Sequence, residues 1–313
     1  MRLAQEIKKK YKIIFIVDQK NNLETKDFKF IEIYKNKAFE NSTNDFILSS
    51  KIIKEIRPKA IFIDDKRLDY IWQKKIRKYS RIITLIDDEM NRKMICDYYI
   101  NYKVYNSKNC NSINKHLNHK AKKLLGTKYW IPNNSIYKRK RTTLKNVIVN
   151  FGNSFDFYKI KKFYYNLIND KVLKKINFYF IIGLYSSNFQ YLEKGNKIKS
   201  NIKIIKNNLD IEDYSYKADL YIGSSGNAIY ENSYSNLTSL FFQISKDQSN
   251  ETQDMERLGH FFKFNLDKIN NYNFLIFIKT ILKNFKRVNT LINKKNIQLN
   301  KKGSQNILEK INL

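Results

Sequence analysis

Residues 218–242 read ADLYIGSSGNAIYENSYSNLTSLFF, and they decide the fold. An apolar run ends at Ile222, a corner of two glycines and two serines follows, then helical spacing, then a second apolar run to Phe242. Strand, tight turn, helix and strand in that order form part of a parallel α/β unit. The chain has only eight glycines, so Gly223 and Gly226 in one corner stand out. Glycine admits positive φ and lets a ligand come close to the main chain. The open N–H groups and dipole of a first helical turn suit a phosphate. Gly223, Ser224, Ser225, Gly226 and Asn227 therefore make a candidate phosphate corner, with serine hydroxyls as extra donors. Glu231, one to two turns into the helix, is placed to accept hydrogen bonds from sugar hydroxyls. The same letters also spell an ordinary β–α turn with serine as N-cap and Glu231 as a solvated helix residue. The spacing is neither GxGxxG nor a P-loop.

Outward from this corner the rhythm repeats. Upstream, NVIVNFG (146–152) is a strand entering a glycine turn, FDFYKIKKFYYNLI a helix, INFYFIIG and IKII strands, and IEDYSYKA a short helix. Downstream, SLFFQIS is a strand, ETQDMERLGH a helix, and FLIFIKTILKNF and NILEKINL are C-terminal helices. Asp247 and Gln248 follow the strand SLFFQIS, on the sheet edge that carries the glycine corner; a solvent-exposed loop is the alternative that their composition favours. Nearer the start, RLAQEIKKKY is a helix and KIIFIV (12–17) a buried strand. DFILSSKIIKEIRP is a helix stopped at Pro58, AIFID (60–64) a strand, LDYIWQKKIRKYS a helix, and RIITLIDD (81–88) and CDYYINY (96–102) strands. The rhythm breaks over residues 106–141, a polar and basic stretch that reads as the connection between two domains. The expectation is α/β, with two Rossmann-like, doubly wound domains over residues 1–131 and 132–313 and a ligand in the crevice between them.

Composition narrows the function classes. The formal net charge is +31, which suggests nucleic acid or an anionic surface. The lysines are spread through every segment, however, and abundant Lys, Asn, Ile, Tyr and Phe beside eight Gly and two Pro are what an AT-rich genome encodes. No specific nucleic-acid partner is expected. Apolar bursts such as Ile176–Tyr185 fall short of the roughly 20 residues of a membrane span, and the first residues lack a signal-peptide pattern. Two cysteines, Cys96 and Cys110, are too few for a disulfide framework or a zinc site. The expected protein is cytoplasmic and monomeric. Asp64, Asp65, Asp87 and Asp88 pair up at strand ends, where they would bind a metal, act as acid and base, or cap helices.

Six segments, in order, resemble the nucleotide-sugar hydrolases of the pseudaminic acid pathway (PseG) and the related SpsG-type polysaccharide proteins. AIFIDD is similar to a family strand ending in an aspartate, here Asp64. ITLIDDE with CDYYIN resembles the next, a DD pair followed by aDxxxN, at Asp87, Asp88, Asp97 and Asn101. LLGTKY matches a GxxY segment at Gly126 and Tyr129, and VNFGNSFD stands where a GGxD turn opens the second domain, at Gly152 and Asn153. ADLYIGSSGNAIYE is similar to aDlxIxaGGxxxyE, and KDQ followed by LG to xNQ followed by kxG. The resemblance implies the GT-B fold of MurG-like glycosyltransferases and release of UDP from a UDP-linked diacetamido sugar. It implies diphosphate at Gly223 to Asn227 with Gly152 and Asn153, ribose at Glu231, further contacts at Asp247 and Gln248, and Asp64 and Tyr129 on the sugar side. It implies no cofactor and no metal.

The departures are specific. Family members open with a strand and a GxGHxxR loop whose histidine activates water. This sequence opens at MRLAQEI, inside the helix that follows that loop, which reads as a first domain truncated at its N-terminus. His116, His119 and His260 match no catalytic position, so the catalytic residue is unassigned and the expectation for these 313 residues is weak or absent hydrolysis. Lys66 and Asn133 replace a family tyrosine and arginine. The rival readings are a MurG-like glycosyltransferase and a non-catalytic nucleotide-sugar-binding protein.

Overall fold

The computed structural model describes residues 2–18, 26–34, 39–88, 91–103, 107–133, 136–198, 200–206, 211–244, 253, 255–257, 259, 261–266, 270–292, 299–311 and 313. The chain divides into two compact units, residues 1–132 with 300–313, and residues 133–299.

In the first unit the apolar runs become short parallel strands, and the amphipathic segments between them become covering helices. The order is α1 (Arg2–Ile7), β1 (Ile14–Val17), β2 (Lys29–Glu32), α2 (Ser42–Ile56), β3 (Ala60–Ile63), α3 (Tyr70–Ile76), β4 (Ile82–Ile86), β5 (Tyr98–Asn101), α4 (Ser107–His116) and β6 (Lys122–Leu125). β1 and β2 form one sheet, and β3-β4-β5-β6 a second, every pairing parallel. Alternation along each strand feeds two apolar layers. Ile63, Ile83, Leu85 and Tyr99 pack with Ile53 of α2 and with Trp72 and Ile76 of α3. Tyr98, Ile100 and Leu124 pack on the other face with Leu3 of α1.

The second unit has β7 (Asn146–Asn150), α5 (Lys161–Asn169), β8 (Asn177–Ile182), α6 (Gln190–Ile198), β9 (Ile202–Lys206), α7 (Ile211–Lys217), β10 (Leu220–Ser224), α8 (Asn227–Ser235), β11 (Thr238–Gln243), β12 (Phe262–Asn265), α9 (Asn271–Lys283) and α10 (Phe285–Ile292). Its six strands are all parallel, in the order β12-β11-β10-β7-β8-β9. The chain winds outward from β7 through β8 to β9, then returns to the other side of β7 at β10. The strand order therefore reverses between β7 and β10, and doubly wound sheets bind ligands outside the carboxyl ends at such a reversal.

Two details differ from the sequence reading. The stretch 106–141, expected as a connection, contains α4 and β6, and β6 completes the second sheet through pairing with β5. The last helix, α11 (Gly303–Ile311), expected with the second domain, packs in the first unit: Ile307 and Ile311 are fully buried beside Leu3, Tyr98 and Tyr129. Among the described residues, no helix is long and apolar enough to cross a membrane. Among them, too, no cluster of three or more His, Cys, Asp or Glu is arranged to hold a metal ion.

Candidate functional site

The glycine corner lies at the reversal. Ser224 ends β10, Gly226 takes the cap position of α8, and Gly152 follows β7. The two turns meet: a Cβ built on Gly152 would lie 3.6 Å from Ser224 Oγ, with nothing nearer. Gly152 has φ +87° and Gly226 φ +90°, both in the region that glycine alone enters without strain. Neither serine caps α8. The cap residue is Gly226, which has no side chain to cap the helix, and the Ile229 amide donates to its carbonyl at 3.0 Å. The cap position expected for serine is thereby taken by glycine. Ser224 and Ser225 are buried, while Asn227 and Asn153 are exposed.

Gly223 has a different reason to be glycine from the one its spacing suggested. It lies inside β10 rather than in the turn, and a Cβ there would sit 1.7 Å from the carbonyl oxygen of Asn150. It is required by the close approach of β7, not by a ligand. That same carbonyl accepts a hydrogen bond from Tyr221 Oη at 2.9 Å, and the hydroxyl also reaches the Ser224 carbonyl at 3.3 Å. Tyr221 thus holds the ends of β7 and β10 together beneath the corner. Burial first, and then the nearby charge of Glu231, push the Tyr221 phenol well above its ordinary range. That places Glu231 close to the floor of the site, half-buried, on the second turn of α8.

The neighbouring turns are equally fixed. Asn150 Oδ1 accepts from the Gly152 amide at 2.9 Å, and the rings of Phe151 and Phe155 stack with centroids 4.1 Å apart. The turn after β8 presses against them: a Cβ on Gly183 would fall 2.3 Å from the Gly152 carbonyl oxygen. The Tyr185 amide donates to the Asn153 carbonyl at 2.8 Å. Asn150, Gly183 and Tyr221 escaped the sequence reading. Only Gly183, in a strand-glycine pattern like that of Gly152, left a signal there.

The remaining candidates divide. Asp247, Gln248 and His260 lie outside the described residues. In the first unit Asp64 follows β3 and is exposed, while Asp65 is held by Arg67, whose bonds and charge outweigh burial and lower its pKa. Asp87 accepts from Tyr99 Oη through its carbonyl at 3.1 Å and pairs with Arg92 at 3.1 Å, and Asn101 Nδ2 reaches the same hydroxyl at 3.3 Å. Asp97 lies at the opposite, amino end of β5, where Arg77 and the Ile83 amide bind it. The structure places Tyr129 in the core, 4% exposed beside Ile307.

No protein-family model and no curated protein sequence matches the chain. Solved structures do. MurG of Acinetobacter baumannii superposes with a TM-score of 0.64 at 10% identity, over 99% of this chain and 94% of that one. The fold is the GT-B fold. A UDP-GlcNAc 2-epimerase from Neisseria meningitidis, solved with UDP-GlcNAc bound, aligns with a TM-score of 0.66 at 10% identity over 98% and 94% of the two chains. WaaG, a glycosyltransferase of lipopolysaccharide biosynthesis, aligns at 0.60 and 9% identity over 99% and 94%. This GT-B chain therefore shares its two α/β units with UDP-GlcNAc-binding and glycan-building proteins at identities that speak for the fold alone.

Proposed function

We propose that the protein binds a UDP-sugar, with the diphosphate in the corner formed by Gly152, Ser224, Ser225, Gly226 and Asn227 and the ribose hydroxyls on Glu231. The observation that carries this reading is the meeting of Gly152 and Ser224 at the reversal of strand order, where Gly226 opens α8. An anion there gains the helix dipole. A carboxylate on the second turn suits a hydroxylated sugar rather than more phosphate. Asp247 and Gln248 extend the nucleotide contacts in this reading.

The bond acted on is the one between the sugar and UDP. Its hydrolysis, in the biosynthesis of a pseudaminic-acid-like surface glycan, is favoured by the order of the six sequence segments. The fold's likeness to MurG and WaaG favours transfer to an acceptor as the second reading. Calorimetry with UDP tests the binding step. The expected dissociation constant lies between about 1 μM and 1 mM, the usual range for enzyme substrates. Glu231→Gln is expected to weaken UDP about tenfold, equivalent to about 1.4 kcal/mol, and to bind UDP and 2′-deoxy-UDP alike. No heat with UDP at 1 mM overturns the reading. UDP release from a UDP-linked acetamido sugar in water alone marks a hydrolase; release only with added acceptor marks a transferase; binding without release marks a non-catalytic binder.

A further inference from the structure

The lysines are dispersed along the sequence, but the fold gathers some of them. All six strands of the second unit are parallel, so one edge of that sheet carries every amino end, opposite the glycine corner. The segments that enter this edge ahead of the adjacent strands β10, β7 and β8 bring up Lys217, Lys145, Lys174 and Lys175, all exposed. Exposed Lys138 and Lys140 join them from the incoming residues 136–141. These segments are tied together. Asn146 Nδ2 donates to the Lys217 carbonyl at 3.3 Å, the Asn177 amide to the Lys145 carbonyl at 2.8 Å, and Arg139 Nη1 to the Tyr216 carbonyl at 2.8 Å. Two carboxylates, among the described residues, lie in the same segments, and both are engaged. Asp219 is held by Arg139 and by the amides of Lys145 and Asn146, and Asp170 pairs with Lys279 at 2.9 Å. The result is a localised positive surface.

Beside Lys217 the surface opens into a recess of about 500 Å³. Tyr179 of β8 and Tyr214 of α7 line it, with ring centroids 5.8 Å apart and planes tilted by 50°. Lys203, the register partner of Tyr179 on β9, holds its Nζ 5.7 Å from the Tyr179 ring, and Ile204 and Ile205 complete the wall. The recess follows from alternation along the strands. Phe178, Phe180 and Ile202 enter the core layer, which turns Tyr179 and Lys203 to the other face, toward α7. We propose that this edge binds single-stranded nucleic acid, with a base in the Tyr179–Tyr214 recess and backbone phosphates along the lysines. Such binding joins a positive track to aromatic rings, which accept the face of any base. The lysines ahead of β10, β7 and β8 spread over about 10 Å, two strand spacings. Successive phosphates reach them all; a single phosphate does not. A bilayer of anionic lipid would meet the lysines and leave the recess empty, and a duplex keeps its bases stacked away from the rings. The site lies at the edge opposite the proposed UDP-sugar corner and stands independently of that reading.

Fluorescence anisotropy of the 313-residue chain with labelled oligothymidylate of about twenty nucleotides tests the proposal. The expected dissociation constant at 50 mM salt is below about 10 μM. The logarithm of the affinity should fall with the logarithm of salt concentration by about 0.7 per phosphate engaged. Tyr214→Ala is expected to weaken binding about tenfold with this slope unchanged, and Tyr214→Phe to retain it. Lys145→Gln combined with Lys175→Gln should lower the slope by about 1.4. Lys51→Gln combined with Lys54→Gln, which removes the same charge from exposed positions of α2, should change neither quantity. Equal losses from the two lysine pairs would reduce the effect to net charge and overturn the proposal. Absence of binding, tighter binding to a duplex of the same length, or displacement by 1 mM UDP overturns it too. Capture by phosphatidylserine vesicles that Tyr214→Ala leaves intact, without binding of the oligonucleotide, would assign the edge to a bilayer instead.

Discussion

Gly223 and Gly226 stand three residues apart and answer to different forces. Gly226 is glycine for its backbone angle, Gly223 for the Asn150 carbonyl that occupies the place of its Cβ. Gly223→Ala is therefore expected to push β7 and β10 apart and cost roughly 2–3 kcal/mol. Urea unfolding should show a lower midpoint with an unchanged slope, even without ligand. Asp45 poses the opposite problem, a buried carboxylate without a cationic partner among the described residues. It accepts from Ser49 at 2.9 Å, from Trp72 Nε1 at 2.8 Å and from Tyr34 at 3.4 Å, and burial outweighs these bonds and raises its pKa. The native state then holds a proton that the unfolded chain releases, so stability falls as pH rises through that window, starting near the unfolded aspartate value. Asp45→Asn, which cannot ionise, should lose less stability than the parent between pH 4 and pH 7. A parent and variant with parallel pH profiles would remove Asp45 from that role.

At the scale of elements, α8 begins at a glycine and ends on a buried arginine. Its last carbonyl, Ser235, accepts from Arg141 Nη1 at 2.6 Å, and Arg141 Nε donates to the Ala218 carbonyl at 2.7 Å. This guanidinium is 2% exposed and bound to carbonyls, so burial lowers its pKa to about 10, still charged at neutral pH. A cation at a helix carboxyl end is favourable, and three carbonyls depend on it. Arg141→Met should destabilise the second unit by roughly 2–4 kcal/mol. It should also speed amide exchange in the last turn of α8 before the first. The elements that escaped the sequence reading share a cause. β2, β6 and β12 are all edge strands, KFIE, KKLL and FKFN, whose lysines keep an exposed edge soluble but erase the apolar run that marks a strand. Interior strands such as IITLI and NVIVN were legible because their central residues are buried on both faces. The glycine corner was legible as a corner; that Gly223 serves packing and Tyr221 braces it from below depends on strand neighbours that spacing along the chain does not reveal.

The whole molecule is two units of different construction. Residues 133–299 form one continuous unit, whereas the first unit closes only when residues 300–313 come back to it. The returning helix α11 is fitted tightly. Gly303 meets the Trp130 carbonyl where a Cβ would stand 1.7 Å away, and Asn306 Nδ2 donates to the Lys128 carbonyl at 2.7 Å. Ile307 and Ile311 are fully buried, each worth about 1.5–3 kcal/mol of apolar burial. Removing residues 300–313 should therefore unfold or strongly loosen the first unit, because the layer that covers Tyr98, Ile100 and Leu124 loses its floor. The sequence supplies its own probe, since both of its tryptophans, Trp72 and Trp130, are buried in the first unit. Deletion should lower the midpoint seen by tryptophan fluorescence. A second transition, followed by far-ultraviolet circular dichroism, should stay where the second unit melts in the full chain. Ile307→Ala should shift the fluorescence midpoint alone, by an amount equivalent to roughly 2–4 kcal/mol. Equal shifts in both signals would mean that the two units unfold as one, and that α11 is tied to the stability of both.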